Sequence, residues 1–174
     1  VTSDPYNVTV HPRITVGYHQ DFESEPYGWV SYGQNNSWEW GVPTSGPGHA
    51  ASGDKVYATN LDGVYDNYTE ATLVMPPVRL PDGPSYLRFK QWYELETRYD
   101  YGYVYISTDK TNWQTLATIN GANGAWQDAQ VDLSAYAGQN VYIAFHLHTD
   151  VSVQKQGWYI DDVELTNTPL SGSN

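Results

Sequence analysis

The 174-residue sequence contains no cysteine and only eight lysine and arginine residues. Without cysteine the chain has no disulfide bonds, thiolate metal ligands or thiol nucleophiles, so a secreted domain of this kind needs another cross-link, such as a metal ion. Twenty acidic residues outnumber the basic ones and give a formal net charge of -12. This charge repels nucleic-acid phosphates and anionic membrane surfaces. It favours cation binding, although an acidic extracellular surface would carry the same charge.

Catalytic signatures and long apolar runs are also missing. No HExxH, GxSxG, Walker or GxGxxG motif occurs, and no stretch is long enough to cross a bilayer. Glu94, Glu96 and Asp100 could supply a carboxylate pair for glycoside hydrolysis. Acids two residues apart on one strand are more often solvated or bound to a cation. We therefore expect a non-catalytic protein with no membrane insertion and no nucleic-acid partner.

Strand-forming residues dominate what is present. The chain has 16 tyrosines and 7 tryptophans, which are residue types enriched in strands. Without βα alternation or an amphipathic helix, the pattern predicts one all-β domain, an antiparallel two-sheet sandwich. We place this module at residues 20–166, between an N-terminal extension or extra edge strand at 1–19 and a linker-like tail at 167–174. The predicted strands are HQDFES, DKVYATNL, ATLVMP, SYLRFKQWYELE, YGYVYIST, WQTLATI, WQDAQVDL, QNVYIAFHLHT and GWYIDDVEL.

Alternation along three of these strands separates a core stripe from an outward stripe. If the three strands share a sheet, its outer face forms an aromatic surface that could stack on sugar rings or peptide side chains. The alternative is that a neighbouring domain covers this face. His146 and His148 could present two imidazoles to zinc or copper, but without a third ligand we favour surface histidines or polar contacts in a ligand groove. The candidate ligand-binding residues are Trp92, Tyr101, Tyr103, Tyr105, Tyr142 and His146.

The run GWYIDDVEL carries two adjacent carboxylates inside a strand pattern. Alternation places Tyr159, Asp161, Val163 and Leu165 on one face and Asp162 on the other. Whichever face is the core, one acid shares it. A buried carboxylate is unfavourable unless a cation or hydrogen-bond donors compensate it, so either the compensation is present or the pattern breaks there.

From Asp21 onward the chain resembles the MAM-like jelly-roll modules of secreted bacterial proteases and the cleaved adhesin domains of gingipains. A more distant similarity links it to carbohydrate-binding jelly rolls with an FE, SG and IDDV pattern. The resemblance implies a jelly-roll β-sandwich for the predicted fold. The segments that carry it are DFES, WEWGVPTSGPGHAASGDKVYATNL, YDYGYVYISTD, VDLSAYAGQNVYIAFHLHTD and GWYIDDVEL.

The resemblance also implies a structural calcium ion. Its ligands would come from Asp21 or Glu23, from the turn Ser52, Gly53 and Asp54, and from Asp161 or Asp162. Calcium takes six to eight oxygen ligands, and pairing of the terminal strands would bring DFE and IDD together. Between the last two acids we prefer Asp161, because alternation places it on the same strand face as Val163 and Leu165.

A second acidic site is a further alternative. Glu94, Glu96, Asp100 and Asp150 lie at the ends of candidate neighbouring strands. Solvated charges at strand ends are the simpler interpretation of this pattern.

These observations predict a non-catalytic, calcium-stabilised binding or adhesion module of a larger secreted enzyme, which the resemblance implies is a protease. One alternative is a carbohydrate-binding module of a secreted glycoside hydrolase. Another is a purely structural accessory domain that packs on a catalytic domain. The expected partners are a neighbouring catalytic domain in the same chain and, for a binding module, a polysaccharide or protein substrate.

Overall fold

The computed structural model describes residues 13 to 170, which form twelve strands and one short 3-10 helix, Ser134–Tyr136. No helix in this range is long and apolar enough to cross a membrane. The strands are β1 (His19–Gln20), β2 (Val30–Gln34), β3 (Glu39–Gly41), β4 (Val56–Ala58), β5 (Glu70–Val74), β6 (Val78–Arg79), β7 (Tyr86–Glu94), β8 (Tyr101–Ser107), β9 (Gln114–Ile119), β10 (Gln127–Asp132), β11 (Asn140–His148) and β12 (Gly157–Thr166).

The strands form two antiparallel sheets, which confirms the predicted all-β jelly-roll sandwich. The first sheet has the order β10-β7-β12-β4-β3, and β1 also pairs with β12. The second has the order β2-β5-β11-β8-β9, and β6 also pairs with β11. Each sheet mixes strands from distant parts of the chain, as expected when long connections cross between two layers.

Apolar side chains from both sheets meet in one main core. Phe145 of β11 stacks on Trp29, with ring centroids 6.3 Å apart, and contacts Phe89 and Trp158 of the first sheet edge-on at 5.3 and 5.6 Å. Trp158 is fully buried, and its Nε1 donates to Gln91 Oε1 at 2.9 Å. Aromatic rings therefore join the two layers at the centre of the sandwich.

The first and last strands lie side by side. His19 of β1 is opposite Glu164 of β12, and Gln20 is opposite Val163. The pairing of β12 with β7 shifts register between Asp161 and Glu164, and Asp162 has a φ of 47°, which together form a β-bulge. The bulge ends the simple alternation that the sequence suggested.

Because of the bulge, even-numbered positions of β12 face the core before Asp162, and odd-numbered positions face it after Asp162. Trp158, Ile160, Val163 and Leu165 all belong to the main core. Tyr159 belongs to a second cluster outside the first sheet. The expectation that Asp161 shares a face with Val163 and Leu165 was wrong, because the bulge inserts an extra residue between them.

The outer face of the first sheet is partly covered by the connections on either side of β3 and β4. Leu61 and Ala50, from these connections, pack with Val56, Ala58 and Tyr159 into a small buried cluster. Thr44 N and Ser45 N both donate to the carbonyl oxygen of Leu61, at 2.7 and 3.1 Å. These bonds join the two connections to each other above the sheet. A residue on the outer face of β12 can therefore be fully buried.

Both flanks of the module contact the sandwich where they are described. Ile14 forms a parallel bridge with Val78, and Tyr18 packs against the main core. The N of Leu170 donates to Gln130 Oε1 at 2.6 Å. The proposed extension at 1–19 and tail at 167–174 otherwise fall partly outside the described residues, at 1–12 and 171–174.

Candidate functional site

The acids that follow β1 are held in a tight bend. Phe22 has a φ of 62° and is fully buried, 5.1 Å from Trp29 in an edge-on contact. Gln20 Oε1 accepts from Phe22 N at 2.7 Å, and Asp21 Oδ1 accepts from Glu23 N at 3.0 Å. The bend anchors Phe22 in the core and leaves the carboxylates of Asp21 and Glu23 outside it.

Glu23 is fixed against the turn that precedes β4. Its Oε1 accepts from Asp54 N at 2.9 Å, and its Oε2 accepts from Lys55 N at 3.0 Å. Gly53 has a φ of 61°, and a Cβ at this position would clash with the Glu23 carboxylate. Glycine is therefore required here both for the backbone conformation and for the close approach of Glu23.

Asp161 lies on the other side of the same turn and has no exposed surface. It accepts from Ser52 N at 3.1 Å and from Asp162 N at 2.8 Å. Burial raises the pKa of Asp161 to about 7, because the charged carboxylate loses its contact with water. Within residues 13 to 170, no lysine, arginine or histidine nitrogen lies within 4 Å of its carboxylate.

Asp162 points to the solvent side of the bulge. Its Oδ2 accepts from Ser52 Oγ at 2.7 Å, and its Oδ1 lies 3.9 Å from His19 Nε2. The structure thus brings the three predicted segments together. We call this the terminal-strand site; it comprises Asp21, Glu23, Ser52, Gly53, Asp54, Asp161 and Asp162.

The donors of the terminal-strand site fit calcium in their chemistry, because all of them are oxygens and one carboxylate is buried with no cationic side chain of residues 13–170 beside it. The carboxylates are already held by backbone N–H groups. Across the described residues, Glu23, Asp161 and Asp162 do not form a trio whose oxygens all lie within 4.8 Å of one another. That spacing occurs instead at Glu96, Asp100 and Asp150.

The predicted aromatic surface is divided between the two sheets. Tyr101, Tyr103 and Tyr105 form a ladder on the outer face of the second sheet, with successive ring centroids 6.1 and 5.4 Å apart. His146 lies beside it, 5.5 Å from the Tyr105 ring. Tyr142 lies further along β11, beneath the cationic group of Lys110, which is 5.0 Å from its ring.

His146 and His148 are both engaged by Glu70. Glu70 Oε1 lies 2.9 Å from His146 Nε2, and its Oε2 contacts His148 Nδ1. Thr72 Oγ1 is 2.8 Å from His146 Nδ1. Both ring nitrogens of His146 therefore have protein partners, as expected for polar contacts rather than for an open metal site.

Trp92 lies in the first sheet, apart from the tyrosine ladder. Its ring meets Tyr159 edge-on at 5.3 Å and, with Trp126, lines a cleft of about 460 Å³. Trp126 Nε1 donates to the carbonyl oxygen of His49 at 3.1 Å. The sequence analysis did not identify this cleft, since no local pattern brings residues 46–49 next to 124–126. The remaining lining residues are Gly46, Pro47, His49, Gly124 and Ala125.

The two antiparallel sheets and the pairing of the terminal strands define a jelly-roll β-sandwich. The K1 cleaved adhesin domain of Lys-gingipain from Porphyromonas gingivalis W83 matches with a TM-score of 0.61 and 21% identity, over 87% of this chain and 98% of that domain. TmCBM61, solved in complex with β-1,4-galactotriose, matches with a TM-score of 0.59 and 16% identity, over 83% and 91%. At these identities the similarity shows the fold alone.

Sequence comparison gives the family directly. The MAM domain family (meprin/A5/mu) matches residues 20–169, and the chain belongs to this family. It is 53% identical over 169 residues to bacillopeptidase F of Bacillus subtilis (strain 168), which covers 96% of this chain. The chain spans only 12% of the length of that relative. The resemblance to MAM-like modules of bacterial proteases is confirmed, and in this relative the domain is one part of a much larger protein.

Proposed function

We propose that the chain is a non-catalytic accessory module of a larger secreted protease, with a structural calcium ion joining its first and last strands. The observation that carries the metal part is the convergence of Glu23 and the buried Asp161 on one turn, Ser52 to Lys55. The similarity to a short part of bacillopeptidase F supports the accessory role.

At the terminal-strand site, Glu23 and Asp161 would be the principal ligands. Asp21, Asp162, Ser52 and Asp54 would supply further oxygens, and Gly53 would leave room for the ion's ligands. The ion would supply the positive charge that the buried carboxylate lacks. Because its ligands come from both ends of the domain, binding would stabilise the folded state only.

Removal of the module from its parent protein tests the accessory role. Deleting residues 20–166 should leave cleavage of a short peptide substrate unchanged, because the catalytic groups lie elsewhere. It should reduce either the thermal half-life of the parent or its cleavage of a large substrate. Hydrolysis of casein or aryl glycosides by the 174-residue chain alone would contradict a non-catalytic role.

Carbohydrate binding is a second candidate function, and the cleft between Trp92 and Trp126 favours it. Its volume of about 460 Å³ is within the usual range for ligand sites of roughly 300 to 1,000 Å³, and indole faces stack on sugar rings. The tyrosine ladder with Tyr142 and His146 is the alternative surface. A purely structural domain would bind sugar neither in the cleft nor on the tyrosine ladder.

Tryptophan fluorescence can distinguish these surfaces. The chain would be titrated with a panel that includes β-1,4-galacto-oligosaccharides and xylan. For binding in the cleft, Trp92→Ala and Trp126→Ala should each remove the response, and Tyr103→Ala should keep it. Loss with Tyr103→Ala alone would place binding on the ladder. No response to any sugar would favour the purely structural domain.

A further inference from the structure

A second group of carboxylates lies where the connection from β7 to β8 meets the connection from β11 to β12. One carboxylate oxygen from each of Glu96, Asp100 and Asp150 lies within 4.8 Å of the other two. We call this group the acidic pocket. It shares no residue with the terminal-strand site, and Glu94, which the sequence grouped with it, is elsewhere: its Oε1 accepts from Gln156 N at 3.1 Å.

Asp100 is the buried member of the acidic pocket, with no exposed surface. Its Oδ2 accepts from the Tyr65 hydroxyl at 2.6 Å, and its Oδ1 accepts from Asp150 N at 2.9 Å. Both donors are neutral. In the described part of the chain, no lysine, arginine or histidine nitrogen lies within 4 Å of any of the three carboxylates. Three close carboxylates without a paired cation repel one another.

Glu96 supplies an independent observation that points to a ligand. Its Oε1 has less than 1 Å² of accessible surface and no hydrogen-bond partner within residues 13 to 170. Buried carboxylate oxygens are normally paired, so an unpaired one within a group of three carboxylates favours a positively charged partner. Burial, followed by the charges of Asp150 and Asp100, raises the pKa of Glu96, and the positive charge of Lys155 offsets part of this rise. Burial likewise raises the pKa of Asp100.

We propose that Glu96, Asp100 and Asp150 bind a divalent cation of the calcium class. The donors are all carboxylate oxygens, which suit a hard cation, and water can complete a coordination of six to eight oxygens. Tyr65 is a positioning residue: its hydroxyl donates to Asp100 and accepts from Glu96 N at 3.1 Å. The ion ties together the two connections that carry the acids, and Tyr65 links them to the connection before β5.

Calcium titration by calorimetry, after exhaustive chelation, tests this site in the 174-residue chain. The wild type should bind two ions if both sites exist. Glu96→Gln should lose one ion, or bind it at least tenfold more weakly, and Asp100→Asn should do the same. Asp100→Asn retains an acceptor for Tyr65. Glu94→Gln is the matched control, because it removes the same charge only two residues away, at the end of β7, without touching the acidic pocket, and it should keep both ions.

Variants of the terminal-strand site separate the two proposals. Glu23→Gln should lose one ion and keep the ion that Glu96→Gln loses. If only the acidic pocket binds, the wild type and Glu23→Gln should each take up one ion, and Glu96→Gln should take up none. That result would support this inference and contradict calcium at the terminal-strand site. Unchanged stoichiometry and affinity in both Glu96→Gln and Asp100→Asn would overturn the inference. That result would indicate that the carboxylates share a proton instead.

Discussion

At the scale of single residues, the terminal-strand site depends on a close approach between a carboxylate and a glycine. Glu23 occupies the space in which a Cβ of residue 53 would lie. The same carboxylate receives two backbone N–H groups from the turn. Residue 53 therefore controls both the conformation of the turn and the position of one proposed calcium ligand.

Gly53→Ala should destabilise the chain more than a glycine replacement that adds only backbone strain. Gly48→Ala is the matched control, since its φ is 74° and no atom lies within 4 Å of the added Cβ. Gly48→Ala should lower the free energy of unfolding by about 1 to 2 kcal/mol, the usual penalty for an alanine in the left-handed conformation. Urea unfolding should show a larger loss for Gly53→Ala, and calcium should restore less of it. Equal losses would contradict the close packing of Glu23.

Asp161 should make the metal-free chain less stable as the pH rises. Burial raises its pKa to about 7, so the folded state holds this proton more tightly than the unfolded state. The resulting stabilisation is complete below a pH of about 4, the ordinary aspartate pKa, and is lost as the pH rises through 7. In chelator, the difference in unfolding free energy between wild type and Asp161→Asn should follow this trend. A difference that stays flat from pH 4 to 8 would contradict it.

The sequence predicted that the terminal segments meet, but not the bulge that orients the carboxylates of β12. The resemblance pointed to the segments around Glu23, Gly53 and Asp161, and the structure places them together. Simple alternation favoured Asp161 because it placed this residue on the same face as Val163 and Leu165. The bulge puts these two residues on the opposite face. A single residue with a positive φ, Asp162, leaves no signal in a pattern of apolar and polar residues.

At the scale of elements, the sequence showed where most strands lie. Apart from the pairing of the first and last strands, it did not show which strands are neighbours. All nine predicted runs contain a strand, whereas β2, β3 and β6 were not predicted. β3 and β6 have only three and two residues, and β2 is mostly exposed, so none shows a clear apolar alternation. Trp92 was grouped with the tyrosine ladder because parity gives a side of a strand but not the sheet to which the strand belongs.

β12 is the middle strand of the first sheet, and its Trp158 is fully buried in the main core. Trp158→Ala should cost about 3 to 5 kcal/mol, since it removes a fully buried ring and its contacts with Phe145 and Trp38. Tyr32→Ala on the exposed face of β2 should change stability by about 0.5 kcal/mol or less. Chemical unfolding of both variants checks this. Similar losses for the two would contradict the assigned core.

At the scale of the whole molecule, the chain closes on itself without a disulfide. β1 pairs with β12, and the turn at residues 52–55 binds carboxylates from both the first and last strand regions. The topology, rather than any local motif, buries Asp161 beneath the cover formed by the connections around β3 and β4. A cation at this point would join segments more than one hundred residues apart.

The central claim is that calcium at the terminal-strand site stabilises this fold. The direct test is the thermal unfolding midpoint of a chain with an intact terminal-strand site and of one with Glu23→Gln/Asp161→Asn, each measured in chelator and after calcium or magnesium is added. Both proteins would carry Glu96→Gln, which removes the acidic pocket from the comparison. We expect calcium, and not magnesium, to raise the midpoint of the chain with an intact terminal-strand site and to leave the variant unchanged. An equal midpoint with and without calcium in the intact chain would contradict the claim.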